Sequence, residues 1–265
     1  MCLPGISALT ALELLGTGFI AGYLGGLIGT GGCVLMLPML VFLLKYPIPK
    51  AIATTVFAVV WTATFGTISH AKLGNIDYQT SSIVLAAGAI GALLGSIIFA
   101  FIMRHIGVLQ VILGAAFLYA SVRMIYEWIK KIPGSEADEI PGKPSGKAAI
   151  GFGIGVLTGI LGLGGGYALV PSFIYLLDAP VHLAVGTSMI SMVLMATVSA
   201  AYKMAQGITD LIGGTLLGLG TIAGVKLGAK TTQKIEPWTI KGIFGAVFLY
   251  VSMKFILRGL GVKLL

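Results

Sequence analysis

Two glycine clusters interrupt otherwise apolar stretches of this chain. The first stretch, GFIAGYLGGLIGTGGCVLMLP, occupies residues 18–38, and the second, GFGIGVLTGILGLGGGYALVP, occupies residues 151–171. Glycine inside a helix is about 1 kcal/mol less favourable than alanine, so several glycines together predict a helix break. Inside lipid, the backbone groups freed at a break must be covered by protein or by a water-filled cavity. We therefore expect the two breaks to meet in the protein interior, with the working site between them.

The chemistry that such breaks offer is the binding of an anion. A helix that restarts after a break exposes unpaired amides and carries about half a positive charge at its N terminus. Glycine-rich turns also let successive amides form an anion-binding nest. The same glycines could instead act as hinges or as close-packing positions. The candidate binding residues in the two clusters are Gly31, Gly32, Gly164, Gly165 and Gly166.

Hydroxyl side chains follow each cluster at equivalent places. Thr54 and Thr55 come after a proline-bearing turn in the first half, and Thr187 and Ser188 come after one in the second. Their hydroxyls could cap the N terminus of the following helix, or they could line a cavity and donate to an oxyanion. Because both pairs occupy equivalent positions, they complete the predicted substrate-binding set.

Charged residues are scarce where a cation carrier would need them. The nine acidic residues lie in loops or close to segment ends, and a desolvated cation in a membrane requires a countercharge. His70 and Lys203 stand at equivalent positions near the end of a segment. Either could help to attract an anion, but we expect both at the membrane interface. No residue spacing typical of a metal site, a cofactor site or a hydrolase is present, so we expect neither a cofactor nor enzymatic activity.

Composition indicates an all-α polytopic membrane protein. The chain is 57% hydrophobic and only 10% charged, and its apolar runs are long enough to cross a bilayer. The net charge is +8, but the basic residues stand singly at segment ends, which favours contact with lipid headgroups over nucleic acid. We expect a multi-pass protein of the cell (inner) membrane, with the lipid bilayer as its surroundings and an unknown oligomeric state.

The two halves of the chain are copies of each other. Second-half residue numbers run 133 above their counterparts, as Gly151 does above Gly18, and this register continues through Gly95 and Gly228. A polar linker at 130–147 separates a first membrane repeat, 1–129, from a second, 148–265. The predicted apolar segments fall at 7–28, 33–44, 51–70, 80–102, 107–129, 148–162, 167–177, 183–202, 211–229 and 238–257.

Segment parity and length predict how the halves are arranged. Each half contains about four or five segments. If the number is five, the odd count makes the second half enter the membrane from the opposite side, and the halves form an inverted repeat. The runs at 33–44 and 167–177 are too short to cross the membrane core and are expected to be re-entrant or half-helices. Glycines four residues apart predict close helix packing; these pairs are Gly22/Gly26, Gly91/Gly95, Gly155/Gly159 and Gly224/Gly228.

This combination resembles the sulfite exporter TauE/SafE family of inner-membrane carriers. The residues concerned are the G-x-x-x-G…G-x-G-G-(G)…P pattern, the A-x-G-T-S helix start and the duplication, and the resemblance covers essentially the whole chain. The first half departs from the pattern at Thr30, at Cys33 and at Ala53, where the second half has Gly186. These departures suggest that the two half-sites are not equivalent.

The resemblance implies a secondary transporter that moves sulfite, organosulfonates or related small anions and is coupled to an ion gradient. The alternatives that the residues leave open are an anion channel, a carrier for another small anion such as a carboxylate, and a membrane scaffold.

Overall fold

The computed structural model describes residues 8–28, 32–130, 139–232 and 237–262. These residues form ten α-helices and one π-helical turn, and the described ranges contain no strand. The all-helical polytopic class is therefore confirmed. The helices of the first half are α1 (Ala8–Ile28), α2 (Cys33–Pro38) continued by the π-helical turn Met39–Leu43, α3 (Ile48–Lys72), α4 (Tyr78–Ile102) and α5 (Ile106–Lys130). Those of the second half are α6 (Pro144–Leu161), α7 (Gly166–Leu176), α8 (Val181–Ala205), α9 (Leu211–Thr232) and α10 (Pro237–Gly259).

Six of these helices, α1, α3, α4, α5, α6 and α8, are long and apolar enough to cross a membrane. The apolar stretches Cys33–Leu43 and Gly166–Leu176 are much shorter. At 1.5 Å per residue, each of these two spans about 16 Å, roughly half of a 30 Å hydrocarbon core. Both short helices directly follow a glycine cluster, as the sequence predicted.

Helices of one half pack mainly against helices of the other half. Helix α1 lies on α9, and its counterpart α6 lies on α4; α3 packs on its counterpart α8, and α5 on its counterpart α10. The pairs α1/α9 and α4/α6 run parallel, because contacts advance together along both helices. The counterparts α3/α8 and α5/α10 run antiparallel, since Gly66 meets Met189 while Asn75, just beyond α3, meets Gly186.

Glycines bring the parallel pairs to backbone contact. A β-carbon added at Gly151 of α6 would lie 2.6 Å from the carbonyl oxygen of Val84 on α4, and one at Gly22 of α1 would lie 2.5 Å from that of Thr221 on α9. No side chain fits at these distances. The small-residue spacing read from the sequence thus reflects helix packing in lipid.

A cation lies over an aromatic ring near the far end of each short helix. The guanidinium of Arg123 on α5 lies 3.2 Å from the ring centre of Tyr175 on α7. At the first short helix, the ammonium of Lys254 on α10 lies 5.4 Å from the ring centre of Phe42, in the π-helical turn after α2. Such cation–π contacts stabilise the ends of both short helices against the α5/α10 pair.

The predicted linker ends in helical structure. Helix α6 begins at Pro144, so Lys147 belongs to its first turn rather than to a solvated loop, and only 7% of this residue is exposed. Its ammonium donates to the hydroxyl of Thr80 on α4 at 2.6 Å and to the carbonyl of Ile140 at 2.7 Å. The end of the linker is therefore attached to the first half.

Two glycines of α6 provide a direct test of this packing. We expect Gly151→Ala to destabilise the protein by about 1–3 kcal/mol, because the new methyl group would overlap the α4 backbone. Gly153→Ala is the matched control: it lies two residues away on an exposed face with nothing within 4 Å. This variant should be neutral or slightly stabilising, since alanine is the better helix former. Thermal unfolding of the detergent-solubilised proteins measures both, and equal effects would contradict the assigned interface.

Candidate functional site

The second glycine cluster forms a tight turn between two helices. Helix α6 ends at Leu161 and α7 begins at Gly166, and between them Gly162, Gly164 and Gly165 have φ values of 68°, 67° and 80°. These left-handed conformations are open to glycine at little cost, whereas other residues would be strained. The chain reverses here, because Gly165 returns to the side of α6 next to Thr158.

The turn leaves a run of buried amides without acceptors. Within the described structure, the amide N–H groups of residues 163–167 donate to no acceptor, and Gly165, which precedes α7, provides no side-chain cap. All five residues are buried. Buried amides are nearly always paired in native proteins, so five consecutive exceptions indicate a place for a ligand or for water.

Three buried side-chain oxygens near the turn also have no hydrogen-bond partner: Thr158 Oγ1, Tyr167 OH and Thr55 Oγ1. Thr158 lies directly beside the turn, since a β-carbon at Gly165 would be 2.9 Å from its hydroxyl oxygen. Tyr167 is the second residue of α7. Each hydroxyl can donate one hydrogen bond, so unused donors accompany the unused amides.

Thr55 lies on the face of α3 that covers the turn from the other half of the chain. Helix α3 covers the turn with Ile52, which meets Gly162, and with Val59, which meets Gly164. Positions 52, 55 and 59 share one face of a helix, because residues three and four apart are neighbours on its surface. The structure therefore groups Thr55 with Gly164, Gly165 and Gly166 of the predicted set.

Lys203 lies beside the same turn and is fully buried, so the interfacial position expected for it is wrong. Its ammonium donates to the carbonyl of Gly159 at 2.5 Å, to Ser199 Oγ at 2.8 Å and, more weakly, to Ser96 Oγ at 3.4 Å. The ammonium also lies 4.6 Å from the ring centre of Phe99. Lys203 is buried because a carbonyl group in the last turn of α6 accepts a hydrogen bond from its ammonium.

The other predicted hydroxyls do not cap their own helices. Helices α3 and α8 begin at Ile48 and Val181, more than one turn before Thr54 and Thr187. Instead, Thr54 Oγ1 accepts from the amide of Asp210 at 3.1 Å, and Thr187 Oγ1 accepts from the amide of Asp77 at 3.0 Å. Both contacts join the two halves, one at each end of the α3/α8 pair. Ser188 donates to the carbonyl of Val185 within its own helix.

The first glycine cluster is described only in part. Gly31 lies outside the described residues, while Gly32 precedes α2 with φ 77° and packs against the backbone of Ala21 and Gly22. The counterparts of Thr158 and Tyr167 in this half are Gly25 and Val34, which have no polar side chain. The two breaks therefore differ in chemistry.

Two aspartates hold the loops that precede α4 and α9. Asp77 accepts from the amide and the hydroxyl of Thr80 and from the amide of Ile140. Burial alone would raise its pKa, but these hydrogen bonds and the charge of Lys147 outweigh burial and lower it. His70, at the end of α3, is half-buried with Nδ1 3.5 Å from the side-chain nitrogen of Asn75.

Asp210 is the counterpart of Asp77 and has its own cation. It accepts from the amide of Gly213 at 2.8 Å and from the hydroxyl of Tyr46 at 3.0 Å, and it forms an ion pair with Lys50 at 3.2 Å. Burial raises its pKa, but these three partners together lower the pKa below its ordinary value of 3.8. Burial and the same carboxylate raise the pKa of Tyr46.

Sequence reasoning missed Thr158 and Tyr167, although both lie in the stretch around the second cluster. Their signal was that polar residues stand there opposite Gly25 and Val34 of the first copy. In the described part of the chain, no group of three or more His, Cys, Asp or Glu side chains is arranged to hold a metal ion.

A multi-pass helical bundle with two internal helix breaks defines a polytopic membrane protein. The chain also matches the family model "Sulfite exporter TauE/SafE" over residues 14–255. It therefore belongs to this family of membrane transporters, and the family resemblance inferred from the motifs is confirmed.

Curated relatives agree with this assignment. Over 92% of its length, the chain is 28% identical to the "Probable membrane transporter protein YunE" of Bacillus subtilis, covering 96% of that protein. It is 26% identical to YdhB of the same organism over 87% of this chain and 93% of the relative. It is 27% identical to MJ0441 of Methanocaldococcus jannaschii over 91% and 94%, and both relatives are also named probable membrane transporter proteins. No solved structure matches the chain.

The lowered pKa of Asp210 predicts how pH acts on stability. A carboxyl group whose pKa is lower in the folded state stabilises the protein above its unfolded pKa, about 3.9, and this contribution is lost as pH falls through the folded pKa. We therefore expect Asp210→Asn to lower the melting temperature at pH 7, with the difference from wild type shrinking below about pH 4. Thermal melts of both proteins across this range test it. A difference that stays constant with pH would contradict the role of the charge.

Proposed function

We propose that the protein is a secondary transporter that moves small sulfur-containing oxyanions, such as sulfite or organosulfonates, across the inner membrane. The supporting observation is the run of five buried amides without acceptors at residues 163–167. The name of the family to which the chain belongs, sulfite exporter, agrees with this substrate class.

An oxyanion suits the donors around the turn. Sulfite and sulfonates present three oxygen atoms that accept hydrogen bonds, and the site offers amides together with the hydroxyls of Thr158, Tyr167 and Thr55. Amides at a helix start carry positive partial charge, so they favour a negative ligand without needing a mobile cation. Gly31, Gly32, Thr54, Thr187 and Ser188 remain predicted contributors whose hydrogen bonds in this structure, where described, are made elsewhere.

The arrangement of the halves supports alternating access. Because the counterparts α3/α8 and α5/α10 are antiparallel, we infer that the two repeats, 1–129 and 148–265, form an inverted repeat around the breaks. The Thr54–Asp210 and Thr187–Asp77 contacts lie at opposite ends of the α3/α8 pair. Opening one contact while the other stays closed would expose the site to one side of the membrane at a time. Coupling to an ion gradient would give the transport its direction.

Two other functions use the same site. An anion channel would need the amides but no alternating access, and a carrier for a small carboxylate would need the same donors with a different ligand. A transporter performs no covalent chemistry on its cargo, so we propose that the protein is not an enzyme.

Flux in liposomes tests the proposal. Purified protein should mediate saturable uptake of sulfite, with the ion kept under argon against oxidation. Internal unlabelled sulfite should accelerate the entry of labelled sulfite, because counterflow requires a carrier. Linear, non-saturable flux would favour a channel, and flux of acetate without flux of sulfite would favour a carboxylate carrier. Absence of flux for sulfite, sulfonates and carboxylates alike, while a control carrier is active, would refute the proposal.

A glycine substitution tests the amides themselves. We expect Gly165→Ala to weaken sulfite binding by at least about tenfold, because its methyl group would displace the Thr158 hydroxyl and obstruct the amides. The strain of alanine at positive φ must be controlled. Gly207→Ala has the same strain, at φ 71°, but lies in the loop after α8 with nothing within 4 Å. Sulfite-induced shifts in melting temperature should survive in Gly207→Ala and be lost in Gly165→Ala. Equal losses in both variants would assign the glycine a purely structural role.

A further inference from the structure

We propose that Lys203 is the fixed positive charge that makes the second helix break, and only the second, an anion site, so that each chain binds one anion. This inference rests on the proposed function, in which the turn between α6 and α7 binds the substrate. It adds a charged residue and a stoichiometry that neither the family nor the glycine pattern provides.

The ammonium of Lys203 is buried without a carboxylate. Its partners in the described structure are a carbonyl group, two serine hydroxyls and an aromatic ring, all of them uncharged. An ionisable residue within a membrane segment is costly and usually pairs with an opposite charge or serves function. A transported anion would supply the missing countercharge whenever the site is loaded.

The lysine also makes the electrostatic potential at the turn more positive. The chain reverses there, so the C terminus of α6 and the N terminus of α7 lie side by side. The macrodipoles place roughly half a negative charge at the first and half a positive charge at the second, and these nearly cancel at short range. The ammonium contacts the α6 end through the carbonyl of Gly159, so its positive charge opposes the negative end of that helix. With it, the unpaired amides of α7 lie in a net positive field.

The positions equivalent to the lysine and its neighbouring hydroxyls carry no lysine and no hydroxyl around the first break. The polar groups around the second break are Thr158, Tyr167, Ser199, Lys203 and Ser96, and their counterparts are Gly25, Val34, Gly66, His70 and Ala229. Four hydroxyl groups are thus replaced by hydrogen or hydrocarbon. The ammonium is replaced by an imidazole that lies half-buried near Asn75. The lysine and these four hydroxyls therefore surround one break only, whereas Thr55 has a hydroxyl counterpart in Ser188.

Removing the charge tests the assignment. We expect Lys203→Met, which keeps the length and apolar body of the side chain, to raise the dissociation constant for sulfite by roughly 10- to 100-fold. The matched control is Lys147→Met, which removes another buried lysine that also donates to a hydroxyl and a carbonyl, but at the start of α6. This control should change sulfite affinity by less than about threefold. Microscale thermophoresis with sulfite under argon, on protein that elutes as a single species, measures both.

The outcomes separate this inference from the proposed function. If wild-type protein binds sulfite and folded Lys203→Met binds it within threefold of wild type, the charge assignment is overturned while the transporter proposal stands. If wild-type protein binds no sulfite, sulfonate or sulfate, the proposed function itself fails. Equal losses in Lys203→Met and Lys147→Met would show that lowered stability, rather than a local charge, explains the effect, and would also overturn the assignment.

A second measurement needs no variant and remains decisive if Lys203→Met does not fold. Equilibrium dialysis of wild-type protein against radiolabelled sulfite should saturate at one anion per chain, because only the second break carries the lysine and its hydroxyls. Saturation at two anions per chain would show that the first break binds equally well, and it would overturn the proposed asymmetry.

Discussion

The structure depends on one constraint, the pairing of backbone amides and carbonyls away from water. Long helices satisfy it internally, which is why the described chain consists of helices and short connections. Residues 163–167, at the turn and the start of α7, depart from this rule. In the described structure their five buried amides have no acceptor, while the ammonium of Lys203 donates to the carbonyl of Gly159. The carbonyl of Gly159 at the break therefore has a donor, whereas the amides of residues 163–167 have no acceptor. The proposed anion would bring the acceptors and the negative charge that these donors lack.

Close packing between the halves keeps this break in place. Glycines at Gly22, Gly151 and Gly155 let helices of different halves touch through their backbones, so the contact surface is rigid and has little side-chain freedom. Helix α3, held by α8 and α9, then covers the turn with Ile52 and Val59. The site is therefore built by both halves, although most of its polar groups belong to the second.

Backbone rules explain which features could be predicted. Repeated glycines, apolar length and register indicated helices, short segments and two copies, because these depend on local geometry. The positions of polar side chains depend on tertiary contacts and were harder. Lys203 was placed at the interface because a lysine in the last turn of a helix usually extends its charge toward water. Thr54 and Thr187 were considered as caps because they follow a proline-bearing turn. They do not cap, because α3 and α8 already begin directly after Pro47 and Pro180. Thr158 was not predicted as a site residue, because whether a hydroxyl lacks a hydrogen-bond partner can be seen only in the folded chain.

The exchange of partners between halves also governs how the protein can be made. Helix α1 packs against α9, which begins about 180 residues later in the chain. At a synthesis rate of about 5–20 residues per second, α1 is made on the order of 10–40 s before α9 emerges from the ribosome. During this interval its small-residue face lacks the α9 backbone that it contacts in the folded protein. Packing of α1 on α9 is thus a late event, whereas α4 and α6 can pair earlier, and a chain truncated before α9 would leave α1 without its partner.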